Sequence, residues 1–322
     1  MTASILSGIY PPLPTFFTLR EELDLATYQR HIARLGEHGI TGYVVMGTNG
    51  EAVHLTGDER ARVIEAARQA AGPHAQIIAG CGEQSTRATI RNCEQAARSG
   101  ADVALVIPPF YYKGRMDATA LLDHYRTVAD SSPLPVVIYN MPASTAGLDL
   151  NAATICTLAE HPHIIGVKDS AGNMEKLAQI VAVTAEKRAG SFRVFAGSAG
   201  YLLPALAVGA VGAVAALANV FPREVCRVQE LFQAGELEEA RRLQAVLAPA
   251  NAAVTSSYSV PGLKAALELT AGYGGRPRRP LQPLTDNERK QLALILERVG
   301  HFNERSRTPG LHPGACEPKS PG

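Results

Sequence analysis

The sequence predicts an α/β fold, a (β/α)8 barrel of the TIM type, followed by a helical C-terminal extension. Short runs of β-branched and other apolar residues alternate with amphipathic segments. Most runs are separated by about 30 residues, which is the length of one β/α unit. The runs are apolar throughout, as is typical of parallel strands that are buried on both faces.

The apolar runs predict eight strands. Repeated β/α units form either a closed barrel or an open doubly wound sheet, and eight units favour the barrel. The predicted strands are residues 9–10, 43–46, 77–79, 103–107, 136–139, 164–167, 192–195 and 211–215.

The segments between the runs predict helices. Apolar residues recur there at helical spacing, as at Leu25, Tyr28 and Ile32. Thr56, with Glu59 three residues later, has the pattern of a capping box, in which each side chain satisfies a free backbone N–H group at the start of a helix. These signals place a helix after each predicted strand.

The chain divides into three predicted parts. The barrel covers residues 1–220, and a helical extension packed on it covers residues 221–302, because strand patterns stop near Pro222 while helical ones continue. Residues 303–322 are rich in Pro, Gly and polar residues. They cannot bury enough apolar surface to offset the entropy lost on ordering, so we predict a disordered tail.

Composition restricts the partners and the compartment. The 322 residues are 46% hydrophobic, enough for one large core, and 31 basic residues nearly balance 30 acidic ones. The sequence lacks a cluster of basic residues of the kind that binds nucleic acid or an anionic membrane, so a small molecule is the expected partner. The five cysteines are scattered and have no metal-ligand spacing, which is typical of reduced thiols. With no apolar signal segment or membrane-spanning run, we expect a cytoplasmic protein.

Lys168 is the most unusual residue in a predicted strand. It ends the apolar run 164–167, at the barrel face where active sites of this fold lie. A buried ammonium is costly unless it is paired or deprotonated, and a buried neutral lysine is a nucleophile toward carbonyl groups. The alternatives are an ordinary ion pair with Asp169 or a side chain that extends to solvent.

Three further strand ends carry polar candidates. Tyr139 ends the preceding strand, where it could also be an ordinary core aromatic. The turn at 47–51 offers the Thr48 hydroxyl and backbone N–H groups that could bind a carboxylate, and residues 197–200 form a similar Gly-flanked turn. Either could be a turn without function. No dinucleotide-binding, Walker or metal-binding motif is present, so we expect no metal and no cofactor.

Six motifs occur along the chain, namely GTNGE at 47–51, PPFYYKG at 108–114, VVIYNMP at 136–142, IIGVKDS at 164–170, AGSAG at 196–200 and ANVFP at 218–222. In order and spacing they together resemble the superfamily of dihydrodipicolinate synthase and N-acetylneuraminate lyase, from about residue 8 to about residue 299.

The resemblance implies a class I aldolase, in which Lys168 forms a Schiff base with a 2-oxo acid. Tyr139 matches the proton-shuttling tyrosine and Thr48 the hydroxyl that relays protons from it. Tyr111 matches a second tyrosine that often crosses a subunit interface, and the family suggests a homotetramer. Only about one lysine in two thousand is neutral at pH 7 when its pKa is near 10.4, so this chemistry requires a lowered pKa at Lys168.

The resemblance also assigns substrate contacts. The backbone N–H groups of Thr48 and Asn49 would hold the 1-carboxylate, and the Gly197 carbonyl would approach the bound substrate. The imine is itself the electron sink, so no cofactor is implied.

Departures from the family pattern bear on the substrate. Residues 140–144 read NMPAS, without the arginine by which dihydrodipicolinate synthases bind their aldehyde substrate. Asn49 and the tracts at 114–125, 168–170 and 261–269 are similar to 4-hydroxy-2-oxoglutarate aldolases. We therefore favour cleavage of 4-hydroxy-2-oxoglutarate to pyruvate and glyoxylate, with Asn49, Ser170 and Ser198 as candidates for binding the distal carboxylate.

Three alternatives stay open. The first is an aldolase for a 2-keto-3-deoxy sugar acid of the L-threo-3-deoxyhexulosonate type, whose hydroxyl groups would suit neutral side chains. The second is a dihydrodipicolinate synthase. The third, from a different class, is a barrel that binds an acidic metabolite without catalysis.

Overall fold

Parallel strands form an almost closed barrel in the computed structural model, which describes residues 6–188 and 191–307, with backbone only at 188 and 302–307. The described strands follow the order β1-β8-β7-β6-β5-β4-β3-β2, and each neighbouring pair is parallel. They are β1 Gly8–Tyr10, β2 Gly42–Val45, β3 Gln76–Gly80, β4 Val103–Val106, β5 Val136–Asn140, β6 Ile164–Asp169, β7 Arg193–Ala196 and β8 Gly212–Val214.

The barrel closes between β1 and β2. The Thr41 N–H donates to the Ile9 carbonyl at 3.2 Å, and the Val44 N–H donates to the Pro11 carbonyl at 3.1 Å. Pro12 and Val44 form a further parallel bridge. The predicted (β/α)8 fold is therefore confirmed, and each predicted strand lies within two residues of an observed one at either end.

Helices surround the barrel and continue beyond it. They are α1 Leu25–Gly36, α2 Gly57–Ala71, α3 Thr86–Arg98, α4 Ala118–Ser131, α5 Ala152–Leu158, α6 Met174–Arg188, α7 Leu202–Ala207, α8 Pro222–Gln233, α9 Leu237–Ala252, α10 Ser259–Ala271 and α11 Asp286–Arg307. The predicted capping box at the start of α2 is confirmed. None of the described helices is both long and apolar enough to cross a bilayer.

The C-terminal boundaries differ in part from the expected ones. The boundary predicted near residue 220 falls just before α8, the helix of the eighth β/α unit, so the division into barrel and extension stays a prediction. Helix α11 continues to Arg307, past the predicted start of the tail at 303. Residues 308–322 of that tail lie outside the described residues.

The core has an inner and an outer part. Buried side chains inside the barrel include Tyr10, Val44, Leu105, Val137 and Phe195, with the rings of Tyr10 and Phe195 edge to face at 5.7 Å. A larger cluster fills the space between the strands and the helices. Because successive side chains of a strand point to opposite faces, one residue in two reaches the barrel interior, and the residues at the strand ends reach its mouth.

Candidate active site

Strands β5 and β6 bring the two main candidates together at the barrel mouth. Tyr139 and Lys168 are directly paired in the register of the two strands. Lys168 is 4% exposed and Tyr139 is 5% exposed. The lysine Nζ lies 3.8 Å from the centroid of the tyrosine ring, so the π face offsets part of the cost of burying an ammonium.

Thr48 reaches the same place from the end of β2. Its Oγ1 lies 3.0 Å from the Tyr139 hydroxyl, and either oxygen can donate the hydrogen bond. Thr48 opens a 3₁₀ turn that spans Thr48–Gly50. The contact joins two hydroxyl groups beside the lysine, an arrangement through which a proton can pass.

The turn that carries Thr48 is held by a buried ion pair. Glu51 follows the turn in a left-handed backbone conformation, with φ of 53°. Its Oε1 lies 2.6 Å from the Nζ of Lys264 on α10, and neither side chain is exposed by more than 1%. Burial lowers the pKa of Lys264, while the Glu51 carboxylate acts in the opposite direction. The pair ties the Thr48 turn to the C-terminal helices.

Asp169 faces away from the cavity, so the ion pair with Lys168 that the sequence left open is not formed. The carboxylate of Asp169 lies 2.7 Å from the Nζ of Lys176 on α6, and it accepts a hydrogen bond from Asn140 Nδ2 at 2.8 Å. Asp149 lies 2.6 Å from the same lysine Nζ. This network links the ends of β5 and β6 behind the cavity.

Lys168 lies on the wall of a cavity of about 640 Å³. Six of the other predicted site residues also line it, namely Thr48, Asn49, Tyr139, Ser170, Gly197 and Ser198. Among the described residues that line this cavity, Lys168 is the one charged side chain. The cavity therefore offers a single amine among neutral polar groups.

Gly197 lies where a side chain cannot fit. A Cβ atom at this position would come within 1.9 Å of the Ser170 Oγ. The Gly197 N–H donates to the Asp169 carbonyl at 2.8 Å, and the Tyr201 hydroxyl donates to the same carbonyl, also at 2.8 Å. Burial raises the pKa of Tyr201, so this hydroxyl keeps its proton and acts as a structural donor.

Tyr111 is not part of the cavity that contains Lys168. Its side chain is 76% exposed and packs edge to face on Tyr112, with 5.1 Å between ring centroids. The predicted catalytic position is thus not reached within a single chain. The N–H groups of Phe110 and Tyr111 both donate to Gln84 Oε1 at 2.9 Å, which holds the loop in place.

The sequence reasoning missed the C-terminal side of the cavity. The end of α9, the π turn Ala253–Ser257 and the start of α10 all contribute to the lining. The contributing residues are Ala248, Asn251, Ala252, Thr255, Ser256 and Ser259. The run NAAVTSSYS at 251–259, unusually polar for the interior of a helical segment, was the available signal.

No metal-binding cluster accompanies the site. Over the described ranges, no group of three or more His, Cys, Asp and Glu side chains is placed to hold a metal ion. Cys81, Cys93, Cys156 and Cys226 are free thiols.

Comparison with known proteins gives consistent matches. The model of the dihydrodipicolinate synthetase family matches residues 5–299. A protein of Emericella nidulans named "Probable 4-hydroxy-2-oxoglutarate aldolase, mitochondrial" is 44% identical over 86% of this chain and 89% of its own length. The L-threo-3-deoxy-hexylosonate aldolase of Hypocrea jecorina is 38% identical over 95% of this chain and 98% of its own length.

The fold also matches solved structures. A prophage protein of Escherichia coli K12, of the dihydrodipicolinic acid synthase family and crystallised with pyruvate, superposes with a TM-score of 0.85 at 28% identity. The match covers 92% of this chain and 99% of the other.

Barrel, site and relatives together define the class: the protein is an enzyme, a carbon–carbon lyase. Within that class, the chain belongs to the dihydrodipicolinate synthetase family, which confirms the resemblance seen in the six motifs.

Proposed function

We propose that this enzyme is a class I aldolase that cleaves a 4-hydroxy-2-oxo acid to pyruvate and an aldehyde through an imine on Lys168. The observation that carries the proposal is the geometry of three groups. The Nζ of Lys168 is buried against Tyr139, whose hydroxyl lies 3.0 Å from the Thr48 Oγ1. A buried amine next to a proton relay is what imine chemistry requires.

The proposed reaction follows from these positions. The neutral Lys168 amine attacks the C2 carbonyl, and Tyr139 donates the proton with which the hydroxyl group leaves as water, so that a protonated imine and the Tyr139 phenolate remain. Tyr139 accepts the proton of the C4 hydroxyl, the C3–C4 bond breaks, and its electron pair moves into the imine to form an enamine as the aldehyde leaves. Protonation of C3, relayed by Tyr139 and Thr48, and hydrolysis of the imine release pyruvate and the free lysine.

The 1-carboxylate has a place beside this relay. Thr48 and Asn49 are the first residues of a 3₁₀ turn, and the first N–H groups of a helical turn have no partner within it. They can donate to a carboxylate while the carbonyl carbon faces Lys168. The proposed mechanism needs no cofactor or metal, since the imine supplies the electron sink, and we propose no nucleic-acid or membrane partner.

The first candidate substrate is 4-hydroxy-2-oxoglutarate. The name of the Emericella nidulans relative supports it, and Asn49, Ser170 and Ser198 line the cavity as neutral donors for a distal carboxylate. Ala143 and Ser144 line the region after β5 where dihydrodipicolinate synthases carry their arginine. That replacement argues against a dihydrodipicolinate synthase activity.

The second candidate is a 2-keto-3-deoxy sugar acid. It is supported by the neutral cavity lining, because hydroxyl groups bind well to uncharged polar side chains whereas a carboxylate is held best by a cation. The relative from Hypocrea jecorina is named for such a substrate.

A pyruvate-release assay tests the function. We expect the purified protein to cleave 4-hydroxy-2-oxoglutarate or a 2-keto-3-deoxyhexonate, and borohydride with pyruvate to trap an adduct on Lys168. Lys168→Arg keeps a positive charge but cannot form the imine, so it should abolish turnover and trapping while the melting temperature changes little. A wild-type protein without any trapping would support the non-catalytic barrel instead, and turnover by Lys168→Arg would refute the mechanism.

We also propose a homotetramer in which Tyr111 enters the site of a neighbouring subunit, a role that its exposed position supports. Light scattering gives the mass of the assembly, and Tyr111→Phe should lower kcat without changing that mass. The cytoplasmic location remains a proposal, because the name of the Emericella nidulans relative places that protein in mitochondria. Fractionation of the source cells decides between the two compartments.

A further inference from the structure

Asn251 occupies an unusual position on the cavity wall formed by the C-terminal helices. Its side chain lines the cavity and is 5% exposed. The Nδ2 atom donates a hydrogen bond to Ser198 Oγ at 2.8 Å. The Oδ1 atom is buried and has no hydrogen-bond partner in the described part of the chain. A buried polar atom without a partner is costly, and such an atom at an active site is commonly satisfied by the ligand.

The hydrogen bonds around Asn251 determine what this wall can still bind. Ser198 Oγ accepts from Asn251 Nδ2 and from the Gly200 N–H at 3.1 Å, so its own proton remains to be donated. Thr255 Oγ1 donates to the backbone carbonyl of Asn251 at 2.6 Å and accepts a long hydrogen bond from Asn251 Nδ2 at 3.5 Å, so one of its lone pairs remains. The wall therefore offers one donor, Ser198, and two acceptors, Asn251 Oδ1 and Thr255 Oγ1.

That inventory suits a hydroxyl group better than a carboxylate. A hydroxyl both donates and accepts, so it can use the Ser198 proton and the Asn251 oxygen together. An ionised carboxylate only accepts, and its oxygens would face the unpaired lone pairs of the amide and of Thr255. Lys168 is engaged by the other end of the substrate, and the described residues of the lining include no other charged side chain that could compensate for that repulsion.

The backbone that carries these groups is irregular. The π turn Ala253–Ser257 interrupts the helices, and Ser259 follows with a left-handed φ of 51°. Gly262 permits this packing, because a Cβ there would lie 2.7 Å from the Ala253 carbonyl oxygen. π turns and strained residues recur at functional sites, and here both lie within eight residues after Asn251.

We propose that Asn251, held by Ser198, is a specificity-determining residue that recognises a hydroxyl group on the substrate beyond C4. The inference rests on the proposed aldolase function and adds a substrate class to it. Between the two candidates, the wall selects the hydroxylated sugar acid and disfavours the dicarboxylate.

Two substitutions of Asn251 test this inference in opposite directions. Asn251→Leu removes both polar atoms, and we expect kcat/KM for a 2-keto-3-deoxyhexonate to fall about tenfold or more, the worth of roughly one hydrogen bond. For 4-hydroxy-2-oxoglutarate we expect a change below about threefold. Asn251→Asp keeps acceptor oxygens but adds a negative charge, so activity on the dicarboxylate should fall at least about tenfold while activity on the hexonate is largely kept.

Controls separate specificity from folding. Asn287 is exposed on α11, so Asn287→Leu and Asn287→Asp should leave both kcat/KM values unchanged. Melting temperatures and borohydride trapping with pyruvate check the fold and the reactivity of Lys168 in each variant. If Asn251→Leu melts below the assay temperature, Asn251→Ala removes the amide without adding bulk.

The outcomes are distinct. The inference is supported if the ratio of kcat/KM for the hexonate to kcat/KM for 4-hydroxy-2-oxoglutarate falls in Asn251→Leu and rises in Asn251→Asp. An equal loss of kcat/KM on both substrates, or no change on either, overturns it. A wild-type enzyme that cleaves 4-hydroxy-2-oxoglutarate but no hexonate also overturns it and leaves the aldolase function intact. A wild-type protein that neither traps pyruvate nor cleaves either substrate overturns both proposals.

Discussion

Replacing Lys264 by Met should destabilise the protein by several kcal/mol, although this lysine lies outside the cavity. Lys264 is fully buried, and its Nζ lies 2.6 Å from Glu51 Oε1. The Glu51 Oε2 also accepts a hydrogen bond from the Arg278 N–H at 2.9 Å. The methionine removes the buried ammonium, and the Glu51 carboxylate keeps the Arg278 N–H and the His54 Nδ1, which lies 3.1 Å from its Oε2.

The expected magnitude follows from the loss of that ammonium. Breaking a buried ion pair by removing one partner costs about 3–5 kcal/mol, because the remaining ion has lost its water and its counter-charge. For a chain of this size, such a loss corresponds to a fall in melting temperature of about 4–7 °C. The double variant Glu51→Gln with Lys264→Met buries no unpaired charge, so it should be more stable than Lys264→Met alone.

Thermal unfolding followed by circular dichroism measures this effect, with Lys290→Met as the control because Lys290 is exposed on α11. Since Glu51 ends the turn that carries Thr48, the single variant should also lose kcat/KM below its melting temperature. A Lys264→Met melting curve within about 2 °C of the wild type would refute the reasoning, as would a double variant whose loss equals the sum of the two single losses.

Two further predictions concern the proton relay and acid stability. Tyr139→Phe should lower kcat by a factor of about 10² to 10⁴, the usual worth of a positioned acid–base group. In the double variant with Thr48→Val, kcat should fall by less than the product of the two single effects, because both residues act on one proton path. Independent effects of the two substitutions in a pyruvate-release assay would argue against the relay. Burial lowers the pKa of His31 from 6.5 to about 3, so its neutral form contributes stability that is complete above pH 6.5 and is lost as the pH falls towards 3. At about 1.4 kcal/mol per pH unit, urea unfolding should show a loss approaching about 5 kcal/mol near pH 3, and this slope should be smaller in His31→Gln.

The strands were predictable because a parallel barrel requires a characteristic sequence pattern. Each strand is buried on both faces, so a run of apolar residues is required wherever a strand occurs. The ends were less certain, as β6 shows: it extends through Lys168 and Asp169, beyond the predicted end at 167. Both residues continue the pairing with β5. The predicted strand stopped at 167 because the apolar run stops there, whereas the backbone hydrogen bonds of the strand continue through these two polar residues.

The candidate catalytic residues were predictable for a related reason. Lys168, Tyr139 and Thr48 lie at or just after strand ends, and the fold brings all strand ends to one mouth whatever the loops do. The ion pair between Lys168 and Asp169 could not be excluded from the sequence. Its exclusion required the observed contact between Asp169 and Lys176. These two residues are on different elements, and the packing of α6 on β6 brings them together.

The polar run at 251–259 marks the C-terminal wall of the cavity in the sequence, but the position of this wall was not predictable, because it depends on contacts that are distant in sequence. Asn251 contacts Ser198, 53 residues away in sequence, and Lys264 on α10 contacts Glu51 near the start of the chain. No local periodicity marks such contacts. The proposed catalytic residues thus lie in short motifs at the strand ends, whereas the proposed substrate contact at Asn251 depends on how the C-terminal helices pack at the barrel mouth. A division of this kind is consistent with the similarity of this chain, over most of its length, to proteins named for a dicarboxylate and for a sugar acid. In the proposed mechanism Lys168 and Tyr139 act on either substrate in the same way, so the experiments on Asn251 are the ones that distinguish the two candidate substrates.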